Sequence, residues 1–175
     1  MSRRILPALA MLALTWTGSA AAGGFGGIAL GRAGIDDSTT ISGGGTATVD
    51  ENALGWKVFG GWMFTENLGI EAGWVDLGDM NEGGVTDVET EGFFAGALGV
   101  LPIGEDSGFS LHGKVGLYLW DQDINQTNHD GIDIAWGIGA KYRVTDLIGI
   151  QLDWERYNTK LETDMVSVGI TLNLE

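Results

Sequence analysis

Phe109-Ser-Leu-His-Gly-Lys-Val-Gly-Leu-Tyr-Leu-Trp120 is the stretch on which the reading of this chain turns. Taken alternately, Phe109, Leu111, Gly113, Val115, Leu117 and Leu119 form one face; Ser110, His112, Lys114, Gly116, Tyr118 and Trp120 form the other. A period of two places successive side chains on opposite sides of a strand. The segment from Ile132 to Val144 repeats the pattern. Ile132, Ile134, Trp136, Ile138, Ala140, Tyr142 and Val144 share one side, against Asp133, Ala135, Gly137, Gly139, Lys141 and Arg143. Both runs exceed the about five or six residues of an average strand and suit a tilted membrane crossing of about 9–11.

Working outward, the same alternation runs through Gly55 to Phe64, Leu68 to Asp76, Ile148 to Tyr157 and Met165 to Leu174. Gly24 to Ile35 is glycine-rich and Gly92 to Leu101 is apolar on both faces, so alternation assigns their sides only weakly. Together these segments predict an all-β, eight-stranded antiparallel up-and-down barrel. Short turns at 65–67, 102–107 and 145–147 alternate with polar loops at 36–52, 77–91, 121–131 and, shorter, 158–163. Short periplasmic turns alternating with longer extracellular loops are a mark of outer-membrane barrels, as are aromatics near strand ends, here Phe64, Trp74, Phe93, Tyr142 and Trp154.

Polarity decides which face looks inward. Lys57, Glu71, Lys114, Asp133, Lys141, Arg143, Asp153 and Glu155 all fall on one set of faces, and the other set holds almost no charge. A soluble barrel such as a lipocalin points its apolar side inward, whereas a membrane barrel reverses the pattern. The reversed pattern fits this chain: a transmembrane barrel with a polar lumen. Both termini are then expected in the periplasm.

Composition narrows the rest. The chain has 175 residues, 30 glycines, two prolines and no cysteine. One domain is expected, without disulfide or thiolate chemistry. A net charge of −15 leaves no basic surface for nucleic acid. Ser2-Arg3-Arg4, the apolar run Ile5 to Trp16 and the small residues Gly18 to Ala22 read as a cleavable signal peptide over 1–22, followed by the barrel domain, 23–175. Export to the bacterial outer membrane follows, with barrel-assembly machinery as a partner during biogenesis and lipid and lipopolysaccharide as permanent neighbours.

No enzyme is expected. Ser110 and His112 share a face but stand roughly 7 Å apart along a strand, too far for a nucleophile and its base. His129 has no serine at useful spacing. No catalytic residue, cofactor site or metal site is assigned. The acids Asp36, Asp37, Asp50, Glu51, Asp79, Glu82, Asp87, Glu89, Glu91, Asp121, Asp123 and Asp130 read first as a solvated surface. Divalent cations bridging them to lipopolysaccharide phosphates are the competing reading. Asp121-Gln-Asp123-Ile-Asn125 spaces oxygens as calcium loops do, but the sixth-position glycine and twelfth-position glutamate are missing.

The candidate site is therefore the lumen: an ion network of Lys57, Glu71, His112, Lys114, Lys141, Arg143, Asp153 and Glu155. Counting residues in from the turns places Glu71 level with Lys141, which predicts that pair, with Lys114 as the second candidate. Inward Phe59, Met63, Phe94, Leu98 and Tyr118 should fill the remaining space, since about eight strands enclose room only for their own side chains.

Gly55-Trp-Lys-Val-Phe-Gly-Gly-Trp62, Leu68-Gly-Ile-Glu-Ala-Gly-Trp-Val-Asp-Leu-Gly78, Leu101-Pro102 leading to Gly113-Lys-Val-Gly-Leu-Tyr-Leu-Trp120, and Ser167-Val-Gly-Ile-Thr-Leu-Asn-Leu174 together resemble the OmpA-type outer-membrane barrel family. The resemblance covers essentially the whole mature chain. It implies a small eight-stranded transmembrane barrel without a peptidoglycan-binding domain. Leu174 stands where the family's closing strand usually ends in an aromatic. The role implied is structural or surface-interacting, through loops that meet lipopolysaccharide or other partners; a narrow ion or small-solute channel is the alternative.

Overall fold

The computed structural model describes residues 23–35, 40–41, 45–46, 52–82, 86–104, 107–124, 127–159 and 162–174; residues 1–22, expected as a signal peptide, lie outside them. Ten strands follow in chain order: β1 (Gly24–Ile35), β2 (Thr40–Ile41), β3 (Gly45–Thr46), β4 (Asn52–Met63), β5 (Leu68–Glu82), β6 (Thr86–Ile103), β7 (Phe109–Ile124), β8 (Thr127–Arg143), β9 (Ile148–Asn158) and β10 (Glu162–Leu174). Eight of them form one closed antiparallel barrel, in the order β1-β10-β9-β8-β7-β6-β5-β4, while β2 and β3 pair separately. β1 closes it, pairing from Gly24↔Trp62 to Gly34↔Asn52 on one side and from Gly24↔Leu174 to Ile35↔Thr163 on the other. Closure leaves no sheet edge, the condition for a strand structure in lipid, where unpaired backbone groups have no water to bond.

The short turns are built alike. In the β4–β5 turn, Phe64 N donates to Leu68 O (2.8 Å), and Thr65 Oγ1 accepts from Leu68 N (3.0 Å). The β8–β9 turn repeats this with Val144 N to Ile148 O (2.9 Å) and Ile148 N to Thr145 Oγ1 (2.9 Å). A threonine side chain thus stands in for a backbone acceptor where the chain reverses.

The polar segments 77–91 and 121–131, expected as long loops, are mostly strand. β5 continues to Glu82 and β6 begins at Thr86; β7 and β8 pair as far as Ile124↔Thr127. Backbone pairing continues wherever register allows, because each added pair satisfies main-chain groups whatever the side chains are. Beyond the membrane both faces are wet, so the alternation that announces a strand fades. The β5 extension starts from an irregularity between Asp76 and Asp79. Gly78 there has φ +79°, and its N–H donates to Asp76 Oδ1 (2.8 Å). A Cβ at Gly78 would also stand 2.4 Å from the Leu54 carbonyl oxygen, so this bend requires glycine.

The two weakly patterned strands now have sides. On β1, Phe25, Ala29 and Ala33 face the lumen while Ile28 and Leu30 are exposed; on β6, Phe94 and Leu98 face inward and Phe93 and Leu101 outward. The exposed face is an apolar band around the barrel, including Val58, Ile70, Val115, Ile138, Leu152 and Val168. At the loop end it meets a ring of outward charge: Arg32, Asp76, Glu91, Asp121, Asp130, Arg156 and Asp164. Tryptophans sit beside that boundary. Trp56 Nε1 donates to Asp76 Oδ2 (3.0 Å), Trp136 and Trp154 meet edge-on at 5.1 Å, and the Arg156 guanidinium lies 5.5 Å from the Trp154 ring. Such aromatics belong at the level where hydrocarbon gives way to headgroups.

Candidate functional site

The interior has three levels. Nearest the loop end is an apolar cluster of Ala33, Ala53, Val75, Leu77, Phe94, Tyr118, Trp120, Ala135, Tyr157 and Met165. Tyr118 and Tyr157 meet with ring centroids 4.7 Å apart, and Trp120 Nε1 donates to Asp133 Oδ2 (2.7 Å). Leu77, Tyr118, Tyr157 and Met165 are essentially fully buried.

Beneath it lies the charged level. Lys57 Nζ reaches both Asp153 Oδ2 (2.7 Å) and Glu155 Oε2 (2.5 Å). Lys114 Nζ reaches Glu71 Oε1 (2.6 Å) and Glu155 Oε1 (2.5 Å). Asp153 also lies 2.6 Å from His112 Nε2, through Oδ1, and accepts from Gln151 Nε2 (2.7 Å) through Oδ2. Phenylalanine faces lie close to the ammonium groups: Phe59 is 5.4 Å from Lys57 Nζ, and Phe94 is 5.5 Å from Lys114 Nζ. Two ammonium groups thus face three carboxylates, with His112 and Gln151 as further partners of Asp153. Charges this buried are tolerable only when paired and hydrogen-bonded.

Six of the eight residues assigned to the ion network meet here: Lys57, Glu71, His112, Lys114, Asp153 and Glu155. The other two do not. Lys141 Nζ donates to Asn173 Oδ1 (2.7 Å) and lies 5.9 Å from the Phe25 ring. Arg143 is exposed at the turn end. The expected Glu71–Lys141 pair is absent, and Glu71 meets Lys114 instead. Strand tilt is the reason: barrel strands are staggered, so equal counts from the turns are not equal depths.

Glycines decide who meets whom. In the ladder, His112, Gly139 and Asp153 are successive partners, as are Lys114, Gly137 and Glu155. A Cβ on Gly139 would stand 2.4 Å from Asp153 Oδ1 and 2.5 Å from His112 Nε2. One on Gly137 would stand 2.8 Å from Glu155 Cγ. Each bare residue lets side chains on β7 and β9 join over β8. Gln151, Asn173 and Asp133 take part although the sequence reading assigns them no role; of the three, only Gln151 has a glycine, Gly169, opposite it in the ladder.

The third level is a cup of about 430 Å³ opening at the turn end. Its walls include Phe25, Met63, Leu98, Val100, Ser110, His112, Lys141, Gln151 and Asn173, with Glu66, Arg143 and Asp146 nearer the turns. Among the described residues, no three acidic or imidazole groups converge as metal ligands, and the side chains of most of the acidic loop residues fall outside that description.

A closed barrel with an apolar exterior and a charged, side-chain-filled interior is a transmembrane β-barrel. The sequence matches the OmpA-like transmembrane domain over residues 20–169. The chain belongs to that family and is a bacterial outer-membrane protein. Its fold is similar to that of Neisserial surface protein A, NspA (TM-score 0.61, 14% identity, 86% of this chain and 96% of that one). It is also similar to the attachment invasion locus protein Ail of Yersinia pestis, solved with the heparin analogue sucrose octasulfate (TM-score 0.56, 16% identity, 87% and 97%). The N-terminal β-barrel domain of Pseudomonas aeruginosa OprF compares at TM-score 0.56 and 14% identity, over 87% and 99%. No curated protein matches the sequence.

Proposed function

We propose that this protein is a plugged, non-enzymatic barrel whose work is structural and is done at the cell surface, its loop end outward and its turns and both termini in the periplasm. Residues 1–22 act as the cleaved export signal, and assembly machinery inserts the barrel. The observation that carries this reading is the filling of the lumen at two successive levels, one apolar and one ionic, which leaves the loops as the surface available to partners. The outward ring of mixed charge beside tryptophans fits contact with lipopolysaccharide headgroups, the acids through divalent cations and Arg32 directly.

The test uses whole cells. Epitope tags at Gly43, Gly83 and Asn128 should be reached from outside, and tags at Asn67 and Asp146 should not. Shortening those three loops should lower binding of lipopolysaccharide vesicles while leaving the barrel folded. Unchanged vesicle binding would remove the surface role. The turn-end cup favours a second reading, a narrow channel for ions or small solutes, because it opens part of the lumen. Conductance across planar bilayers separates the two.

A further inference from the structure

The cup has two unlike walls. Phe25, Met63, Leu98 and Val100, from β1, β4 and β6, make one side mostly apolar, with Glu71 of β5 between them. Ser110, His112, Lys141, Gln151 and Asn173, from β7 to β10, make the other polar. Within this polar wall stands an ammonium group whose role in the ion network is already taken. Of the acids lining the cup, Glu71 is bonded to Lys114 while Glu66 and Asp146 stand near the turns, and among the described residues no carboxylate lies within ion-pair distance of Lys141. An ammonium has three N–H donors; Lys141 gives one to the neutral Asn173 carboxamide. Its stem passes over Gly149, where a Cβ would come within 2.9 Å of Lys141 Cε, so the side chain is held along the wall. A cation with spare donors opposite an apolar wall, in a cavity of small-ligand size, has the form of a pocket for an amphipathic anion.

We propose that the cup binds a small amphipathic monocarboxylate, its carboxylate on Lys141 and its apolar body against Phe25, Met63, Leu98 and Val100. Glu66 and Asp146 outnumber Arg143 at the turns and leave the mouth net negative, which disfavours multiply charged anions. A ligand here enters from the turn side, and the site does not depend on what the loops do.

The experiment follows amide resonances of the refolded barrel in lipid nanodiscs during titration with 3-phenylpropionate. Saturable shifts are expected at Ser110, Gln151 and Asn173, with Tyr118 and the outward residues unmoved. Lys141→Gln should weaken binding by about tenfold, the loss of one charge-assisted contact, and Lys141→Arg should restore most of it. Neutral 3-phenylpropanol should bind weakly and equally to the parent and to Lys141→Gln. Val100→Trp should abolish binding by filling the cup from the apolar side, and it serves as the test should Lys141→Gln fail to refold. Inorganic phosphate should not compete. The proposal is overturned by absence of saturable shifts, by shifts confined to lipid-facing residues, by indifference to both Lys141→Gln and Val100→Trp, or by competition from phosphate.

Discussion

The loop half and the turn half of the lumen are enclosed by the same eight strands and have opposite contents. Toward the loops, Leu77, Tyr118, Trp120, Tyr157 and Met165 interlock with small neighbours such as Ala33 and Ala53, and little space remains. Toward the turns, inward positions include Gly69, Gly149 and the partly buried Ser110 and Asn173, and about 430 Å³ stays open. A barrel's strand number sets how much room there is. Residue size along each strand then decides where that room is filled. The ionic level between them belongs to neither half and ties both together, joining β4, β5, β7 and β9 across the interior.

That comparison can be broken most forcefully at its centre. Lys57→Met leaves Asp153 and Glu155 with one buried ammonium fewer and should destabilise by about 3–5 kcal/mol, the cost of an uncompensated buried charge. Denaturant unfolding of the refolded barrel measures it, and a cost near zero would mean that water reaches this level. Next comes the outside as a control. Ile138→Arg, in the middle of the apolar band, should cost about 2–4 kcal/mol by putting a charge at the bilayer midplane. If it costs nothing, the band does not face lipid.

The halves themselves are compared by one substitution made twice. Met165→Ala, in the packed half, should cost about 2–3 kcal/mol through lost burial and the cavity left behind. Met63→Ala lines a space already open, so its cost should stay under about 1 kcal/mol, as for partly exposed positions in general. Equal costs in the same unfolding assay would erase the distinction between plug and cup.

Much of this arrangement is legible in the sequence alone. Where a strand carries apolar residues outside and charge inside, as in Phe109 to Trp120 or Ile148 to Tyr157, alternation alone assigns every side chain. On β6 the alternation is faint because Phe93 and Phe94 are equally apolar, yet Phe94 and Leu98 do face inward as expected, Phe94 near Lys114, while Phe93 faces lipid. It failed past the membrane boundary, where the β5–β6 and β7–β8 ladders continue through polar sequence. Membership of the charged level was mostly readable, since buried charge on an inward face has to go somewhere. The pairing was not. Glu71 meets Lys114 across β6, where Gly96 stands opposite Glu71, and Lys141 reaches Asn173 past Gly149; both follow from stagger and a bare residue, and neither can be counted along one strand.

The central claim is that the lumen is shut by its own side chains at the apolar and ionic levels. Single-channel recording on refolded monomers in planar bilayers tests it most directly, comparing the parent with a Tyr118→Ala/Tyr157→Ala double variant. The parent should show only rare, small openings, because a path for ions would have to part the tyrosines and separate Lys57 and Lys114 from their carboxylates. Removing both rings should raise the frequency or size of openings, while the ionic level still holds the barrel together. A sustained, large conductance from the parent, equal to that of the double variant, would contradict the account and make the protein a channel.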